Sequence, residues 1–326
     1  MRSHGNIDVE CVIDAHVHVP ARSGAHDLSY ADRLLGQGID GAVVLLIPPM
    51  KHIVNELSLD DIRSAYQVTE TLIRKYASEL VEALSPEGLY FSTLKLAESY
   101  GAACRSDASP TENAVAFYAA ADLSLKPDEL KERLEGCVKS YARGIKVIST
   151  LFFKYLDDPT VEAAFEVASQ EDVPVVVHAG CDPGVWELPK YCKYGNPKRL
   201  ERIVKRYRDV RIVIAHVGGY SAIAPGVFTL EAINLAKSYG NVYVDVSAVP
   251  SVVVLEAARE LPAEKMLYGS DYPVVDGLNP GDHQAMVYRI LLEAGYGKRD
   301  LELVFHGNAE EHLGVRCRSR RRTEDG

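Results

Sequence analysis

Short runs of apolar, mostly β-branched residues alternate along this chain with longer stretches whose apolar positions recur at helical spacing. Eight runs predict strands: CVIDAHVHV (11–19), GAVVLLI (41–47), AVAFYAAA (114–121), GIKVI (144–148), VPVVVHA (173–179), VRIVIAH (210–216), NVYVDVS (241–247) and KMLYGSD (265–271). Most lack polar–apolar alternation, the pattern of parallel strands covered on both faces. Helices fit between them. KPDELKERLEGCVKSYA carries Pro127 near its start and acidic residues in its first turn. DPTVEAAFEVASQ begins from a cap at Asp157 or Asp158, and NPKRLERIVKRY has Asn196 as cap with Pro197 at the first helical position. Segments 251–260 and 283–294 also fit helices, and a mostly helical insertion over roughly 58–105 separates strands two and three.

Eight β/α repeats predict an α/β chain folded as a (β/α)8 TIM barrel with a helical insertion between strands 2 and 3. A doubly wound open sheet would want a glycine-rich phosphate loop after an early strand, and neither GxGxxG nor GxxxxGK[ST] occurs. With no low-complexity linker, residues 1–315 read as one domain and 316–326, RCRSRRRTEDG, as a disordered tail.

Charge removes one class of partner. Lys and Arg number 36 against 46 Asp and Glu, a net charge of -10, so the phosphate attraction behind nucleic-acid binding is missing. The substrate's charge stays open, because a cleft can oppose the global sign. The N-terminal MRSHGNIDVE has no apolar core of a secretory signal, and runs such as GAVVLLIPPM are far short of a membrane span. A cytoplasmic protein is expected. Its six scattered cysteines, Cys11, Cys104, Cys137, Cys181, Cys192 and Cys317, contain no CxxC pair and are expected as reduced thiols.

Polar residues interrupt the apolar runs at particular places. His16 and His18 lie two apart on the first strand, so their side chains share a face about 6.5 Å apart along the chain. Alone, such a pair is more often structural. The pattern recurs, however: His178 ends VPVVVHAG, His216 ends VRIVIAHVGG, and Asp271 ends KMLYGSDYP. Each stands at the carboxyl end of a strand, where barrels gather catalytic groups. Neutral imidazoles with a carboxylate suit Zn²⁺, and also Mn²⁺, Fe²⁺ or Co²⁺, and a bound metal of this kind lowers the pKa of its water toward neutrality. Spacing does not say which histidine is ligand and which acid or base.

These segments, IDAHVH, VVVHAG, IVIAHVGG, NVYVDVS, LYGSDYP and the closing GNAEEHLGV, occur in an order that resembles the amidohydrolase superfamily. Within it they resemble specifically the amidohydrolase-related branch, which contains aminocarboxymuconate-semialdehyde decarboxylase-like proteins. The resemblance runs from about residue 11 to 315 and is weakest through 50–110. It implies a barrel with one divalent metal, usually zinc, held by His16, His18, His178 and Asp271. It also implies that Asp271 shuttles a proton, that His216 acts on the water rather than the metal, and that the chain forms a homodimer.

Lys146, on strand four, faces the barrel interior. Some branches carry a carboxylated lysine there that bridges two metals; the preferred reading is a lysine paired with a carboxylate such as Asp14 or Asp271, or one that orients substrate. Arg22, His26, Lys51 and His52 lie in loops that open toward the mouth, and Trp186 and Tyr272 either wall a pocket or simply pack. His4, His283, His306 and His312 read as structural or surface residues, and Asp245 has no ligand motif around it.

Three functions compete. The first is a metal-dependent hydrolase of an amide, ester or lactone of a small molecule, with Asp271 serving the leaving group and His216 the oxyanion. The second is a non-oxidative decarboxylase of an unsaturated or aromatic carboxylic acid, with Asp271 or His216 protonating the carbon that loses CO₂. A catalytically silent barrel is the third, and it predicts lost ligands.

Overall fold

A computed structural model describes residues 7–18, 38–48, 114–182, 184–272 and 280–317. All eight strands form, each shorter than its apolar run: β1 (Ile13–Val17), β2 (Gly41–Leu45), β3 (Val115–Ala120), β4 (Gly144–Val147), β5 (Val175–Val177), β6 (Ile212–Ile214), β7 (Val242–Asp245) and β8 (Met266–Leu267). They pair in parallel and in chain order. Three bonds close the ring: Ala15 N–H donates to Tyr268 O at 2.9 Å, Asp271 N–H to His16 O at 2.7 Å, and His18 N–H to Tyr272 O at 2.8 Å. The result is a (β/α)8 barrel.

The continuous apolar runs follow from this closure. Val44, Val175, Ile212 and Val244 pack outward with helical residues such as Leu130 and Phe165, while Val43, Val176, Val213, Tyr243 and Leu267 pack inward. Both faces of every strand are therefore dry.

β1 departs from simple alternation. Asp14 pairs with Ala42 and Val17 with Val44, so β1 spends one more residue than β2 over the same span, a bulge. Ile13 and Ala15 point inward and Val17 outward. The extra residue thus turns His16 and His18 onto the inner face, where unbroken alternation with Asp14 would have sent them out.

The helices expected from pattern are α1 (Pro127–Ser140), α2 (Pro159–Gln170), α3 (Glu201–Arg206), α5 (Ser251–Glu260) and α6 (Pro280–Glu293), with α4 (Thr229–Ser238) in addition. Asp158 caps α2 by accepting from Thr160 N–H, and Asn196 accepts from Lys198 N–H at the 3-10 turn that leads into α3. The insertion expected at 58–105 lies outside the described residues. No described helix is long and apolar enough to cross a membrane.

The cysteines correct the expectation of reduced thiols. Disulfides join Cys11 to Cys317 and Cys181 to Cys192. Scatter in sequence concealed proximity in space, because the last described segment returns under the barrel. There Leu313 and Val315 fill the floor among the inward residues, and Leu313 O accepts from the Tyr118 hydroxyl. Cys317 lies past the expected domain end at 315, and 318–326 are outside the described residues. The bond spans 306 positions. By chain entropy, a loop of that size contributes roughly 5 kcal/mol at most. Cys317→Ser is expected to lower Tm by about 7 °C under non-reducing conditions; an unchanged melting curve would show that the bond adds nothing.

His283, read from sequence as structural or surface, is buried on α6 beside the Tyr268 ring. Among the described residues neither buried ring nitrogen has a hydrogen-bond partner, and burial lowers its pKa from 6.5 to about 4. Between those values the unfolded chain takes up a proton that the native ring refuses, so stability falls as pH drops through that window. In His283→Leu the fall from pH 6.5 to 4 is expected to be shallower by about one proton. Parallel slopes for the two proteins in urea titrations at several pH values would contradict this.

Candidate active site

The inward positions at the carboxyl end of the barrel carry polar groups. β1 contributes His16 and His18; β4 contributes Lys146, between outward-packed Ile145 and Val147. His178 follows β5, His216 follows β6, Asp245 ends β7, and Asp271 follows β8. All seven are buried.

Three of the histidines are oriented in the same way. His16 Nδ1 donates to Asp245 Oδ2 at 2.9 Å, His18 Nδ1 to Leu45 O at 2.7 Å, and His216 Nδ1 to Ser247 O at 3.1 Å. With the proton fixed on Nδ1, each ring keeps an Nε2 lone pair for the site. Asp271 Oδ1 lies 3.1 Å from His18 Nε2 and 3.4 Å from His16 Nε2. Donor atoms of His16, His18 and Asp271 all fall within 4.8 Å of one another, as do those of His16, His216 and Asp245. His178 stands one ring further out, 5.0 Å from the His216 ring, which is itself 4.7 Å from that of His16. Its Nε2 is buried without a hydrogen bond, 3.4 Å from Asp182 Oδ1.

Burial holds the rings of His16, His178 and His216 neutral. It lowers the pKa of His178 and takes those of His16 and His216 well below the ordinary value, with neighbouring imidazoles and Lys146 adding to the effect. Neutral imidazoles, a carboxylate and an orphaned buried nitrogen form a donor set that suits a divalent cation. Lys146 Nζ lies 3.3 Å from His16 Nε2. Burial brings its pKa down to about 8, against the pull of Asp245, Asp271 and Asp182. The contact at its Nζ is thus His16 and not one of the carboxylates, Asp14 or Asp271, expected as its partner, although Asp271 adds to the pull on its charge. Asp14 Oδ1 instead accepts the His16 and Ser270 N–H groups.

Local backbone is shaped to serve this end of the barrel. His216, Val217, Ala248, Asp271 and Phe153 all have positive φ and all follow strand ends, a costly conformation that persists where surrounding structure enforces it. The loops after β5 and β6 touch closely through glycine. Gly180 has φ +126°, and a Cβ there would sit 2.4 Å from Tyr220 O; a Cβ on Gly195 would sit 1.8 Å from Gly180 O. Cys181 N–H donates to Tyr220 O, and the Tyr220 ring lies 4.5 Å from that of His216.

Asp245 is the residue that sequence reasoning left out. Its Oδ2 holds His16, and its Oδ1 takes the His216 and Ser247 N–H groups and the Ser247 hydroxyl. The signal was available: like the others, it is a polar residue ending an apolar run. Trp186 is packed rather than open, buried with Ile148 and Leu151, and Tyr272 pairs with Val17. Arg22, His26, Lys51 and His52 lie outside the described residues.

This barrel and the ordered polar strand ends have relatives. The chain matches the amidohydrolase family over residues 13–315 and belongs to it. It is therefore an amidohydrolase-family enzyme. No curated protein sequence matches it. Among solved structures, it is similar to 2,6-dihydroxybenzoate decarboxylase from Rhizobium, with 14% identity, TM-score 0.53, and 94% of this chain and 98% of that one covered. It is also similar to a 5-carboxyvanillate decarboxylase from Novosphingobium aromaticivorans with bound manganese, at 16% identity, TM-score 0.54, and 95% and 97% coverage. A probable 2-pyrone-4,6-dicarboxylic acid hydrolase from Acinetobacter baumannii aligns at 14% identity, TM-score 0.55, and 93% and 99% coverage. At such identities these likenesses speak for the fold.

Proposed function

We propose that this enzyme is a metal-dependent hydrolase acting on an amide, ester or lactone of a small organic molecule. The observation that carries this reading is the meeting of His16, His18 and Asp271 at the barrel mouth, with donor atoms inside 4.8 Å. Together with His178 they would hold one divalent ion, Zn²⁺ by the donor chemistry, with Mn²⁺, Fe²⁺ or Co²⁺ as alternatives. Such an ion, when bound, acidifies a water and polarises a carbonyl oxygen.

The chain's own residues do the rest. Asp271 keeps one oxygen against His18 and uses the other to take a proton and return it to the leaving group. His216 is neutral, and its Nδ1 is committed to Ser247 O, so Nε2 is the atom that meets the water or the substrate oxygen. Asp245 fixes the tautomer of His16.

Decarboxylation is the second reading, supported by the names of the two decarboxylase structures and the manganese in one of them. There Asp271 or His216 would protonate the carbon losing CO₂. Its carboxylate would need a cation, and the described one at the site, Lys146, is buried against His16.

A panel of lactones, amides, esters and unsaturated or aromatic acids, offered to zinc- and manganese-loaded enzyme, separates the two. Hydrolysis without CO₂ supports the first reading, and CO₂ without hydrolysis replaces it with the second. His216→Asn is expected to retain its metal while losing activity by about 10²-fold or more; loss of the metal instead would make His216 a ligand. The cytoplasmic setting belongs to the same proposal and is checked by cell fractionation.

A further inference from the structure

The barrel floor holds a second group of metal-ligating side chains, at the other end of β1 from His16. Cys11 precedes β1 and is 6% exposed, and His306 lies beside the disulfide that joins it to Cys317. Donor atoms of the three fall within 4.8 Å of one another. Cys11 and His16 stand five positions apart, on the order of 16 Å of extended strand. The two groups therefore do not share an ion.

Several features of the floor go unused if the cysteines serve only as a staple. His306 Nε2 is buried and has no hydrogen-bond partner among the described residues, a cost that native structures seldom leave unexplained. His306 Nδ1 faces Glu310 Oε2 at 3.4 Å, and Glu310 Oε1 accepts the Cys317 N–H at 3.0 Å. One carboxylate thus orients both the imidazole and the cysteine backbone, the arrangement that commonly supports metal-bound histidine. The segment Leu303–Gly307 that carries His306 is a π turn, a form found often at functional positions.

We propose that Cys11, Cys317 and His306 form a redox-gated site for a thiophilic divalent cation of the Zn²⁺ type. In the oxidised protein the two sulfurs are bonded to each other and the site is closed. A dithiol reductant delivers two electrons and two protons to that disulfide and is itself oxidised to a disulfide. The two thiols so formed lose their protons to solvent as the cation binds, and the imidazole supplies the third ligand. The floor is thereby joined across 306 positions in either redox state, by a covalent bond in one and by a metal in the other.

Cobalt(II) tests this on the full-length protein, because thiolate ligation gives an intense near-ultraviolet charge-transfer band that His and Asp ligands at the mouth do not produce. Reduced protein titrated with Co²⁺ should develop the band with one-to-one stoichiometry, and Zn²⁺ should displace it. Protein oxidised with excess disulfide should not develop it. Cys317→Ser, at the less buried cysteine of the pair, should abolish the band, and His306→Ala should weaken Co²⁺ binding at least tenfold with the fold intact by circular dichroism. A band that persists in Cys317→Ser, or no band in reduced wild-type protein, overturns the proposal. So does His306→Ala binding as tightly as wild type.

Discussion

Asp271→Asn is expected to lower kcat by about 10³-fold while the barrel remains folded. Asparagine keeps the size and one carbonyl oxygen of the carboxylate, so it can still face His18 Nε2, which Asp271 Oδ1 now meets at 3.1 Å. What it loses is the capacity to accept a proton and pass it on. The backbone makes asparagine the right replacement, since residue 271 has φ 63° and asparagine tolerates that region better than most residues. Alanine would add strain and confuse the reading. The measurement is kcat on whichever substrate class the panel identifies, alongside metal content and Tm. Near wild-type turnover would remove Asp271 from proton transfer under either reading of the chemistry. Lost turnover together with lost metal would limit it to ligation.

The second large effect is expected at Asp245, which touches no reacting atom. Replacement by alanine strips an acceptor from His16 Nδ1, the His216 N–H and Ser247 at once. Buried donors left unpaired cost about 1–3 kcal/mol each, so Tm should fall by several degrees. Metal affinity should fall about 10–100-fold, as for other residues that orient a ligand. Asp245→Asn is the sharper test. Its amide can place an N–H against His16 Nδ1, which favours the tautomer protonated on Nε2 and removes the lone pair that His16 offers the site. Activity and metal affinity should then drop with little change in Tm. If Asp245→Asn binds metal as wild type does, the carboxylate is holding the loops after β6 and β7 together and not setting a tautomer.

The strands were legible because burial on both faces leaves continuous apolar runs, and a polar residue ending such a run is conspicuous. His178, His216 and Asp271 were found in that way. Asp245 obeyed the same rule and was passed over because it lacked a neighbouring ligand motif, although a residue that holds a ligand needs none. The cysteine pairs were beyond reach, since contact between Cys11 and Cys317 is created by closure of the barrel and return of the chain beneath it. The orientation of the histidines was equally hidden: it depends on which acceptor each Nδ1 meets, and Leu45 O, on β2, and Ser247 O, in the turn after β7, are backbone atoms far away in sequence.

The irregularity in β1 also separates the motif from what it does. The same sequence paired with β2 without that extra residue would put both imidazoles on the Asp14 face and turn them toward the surrounding helices. A relative that lost Ala15 would need no bulge, because Ile13, His16 and His18 would then alternate inward with Asp14 and Val17 outward. The spacing from Asp14 to the first histidine therefore dictates whether the strand must bulge, and a motif search for HxH alone does not register it.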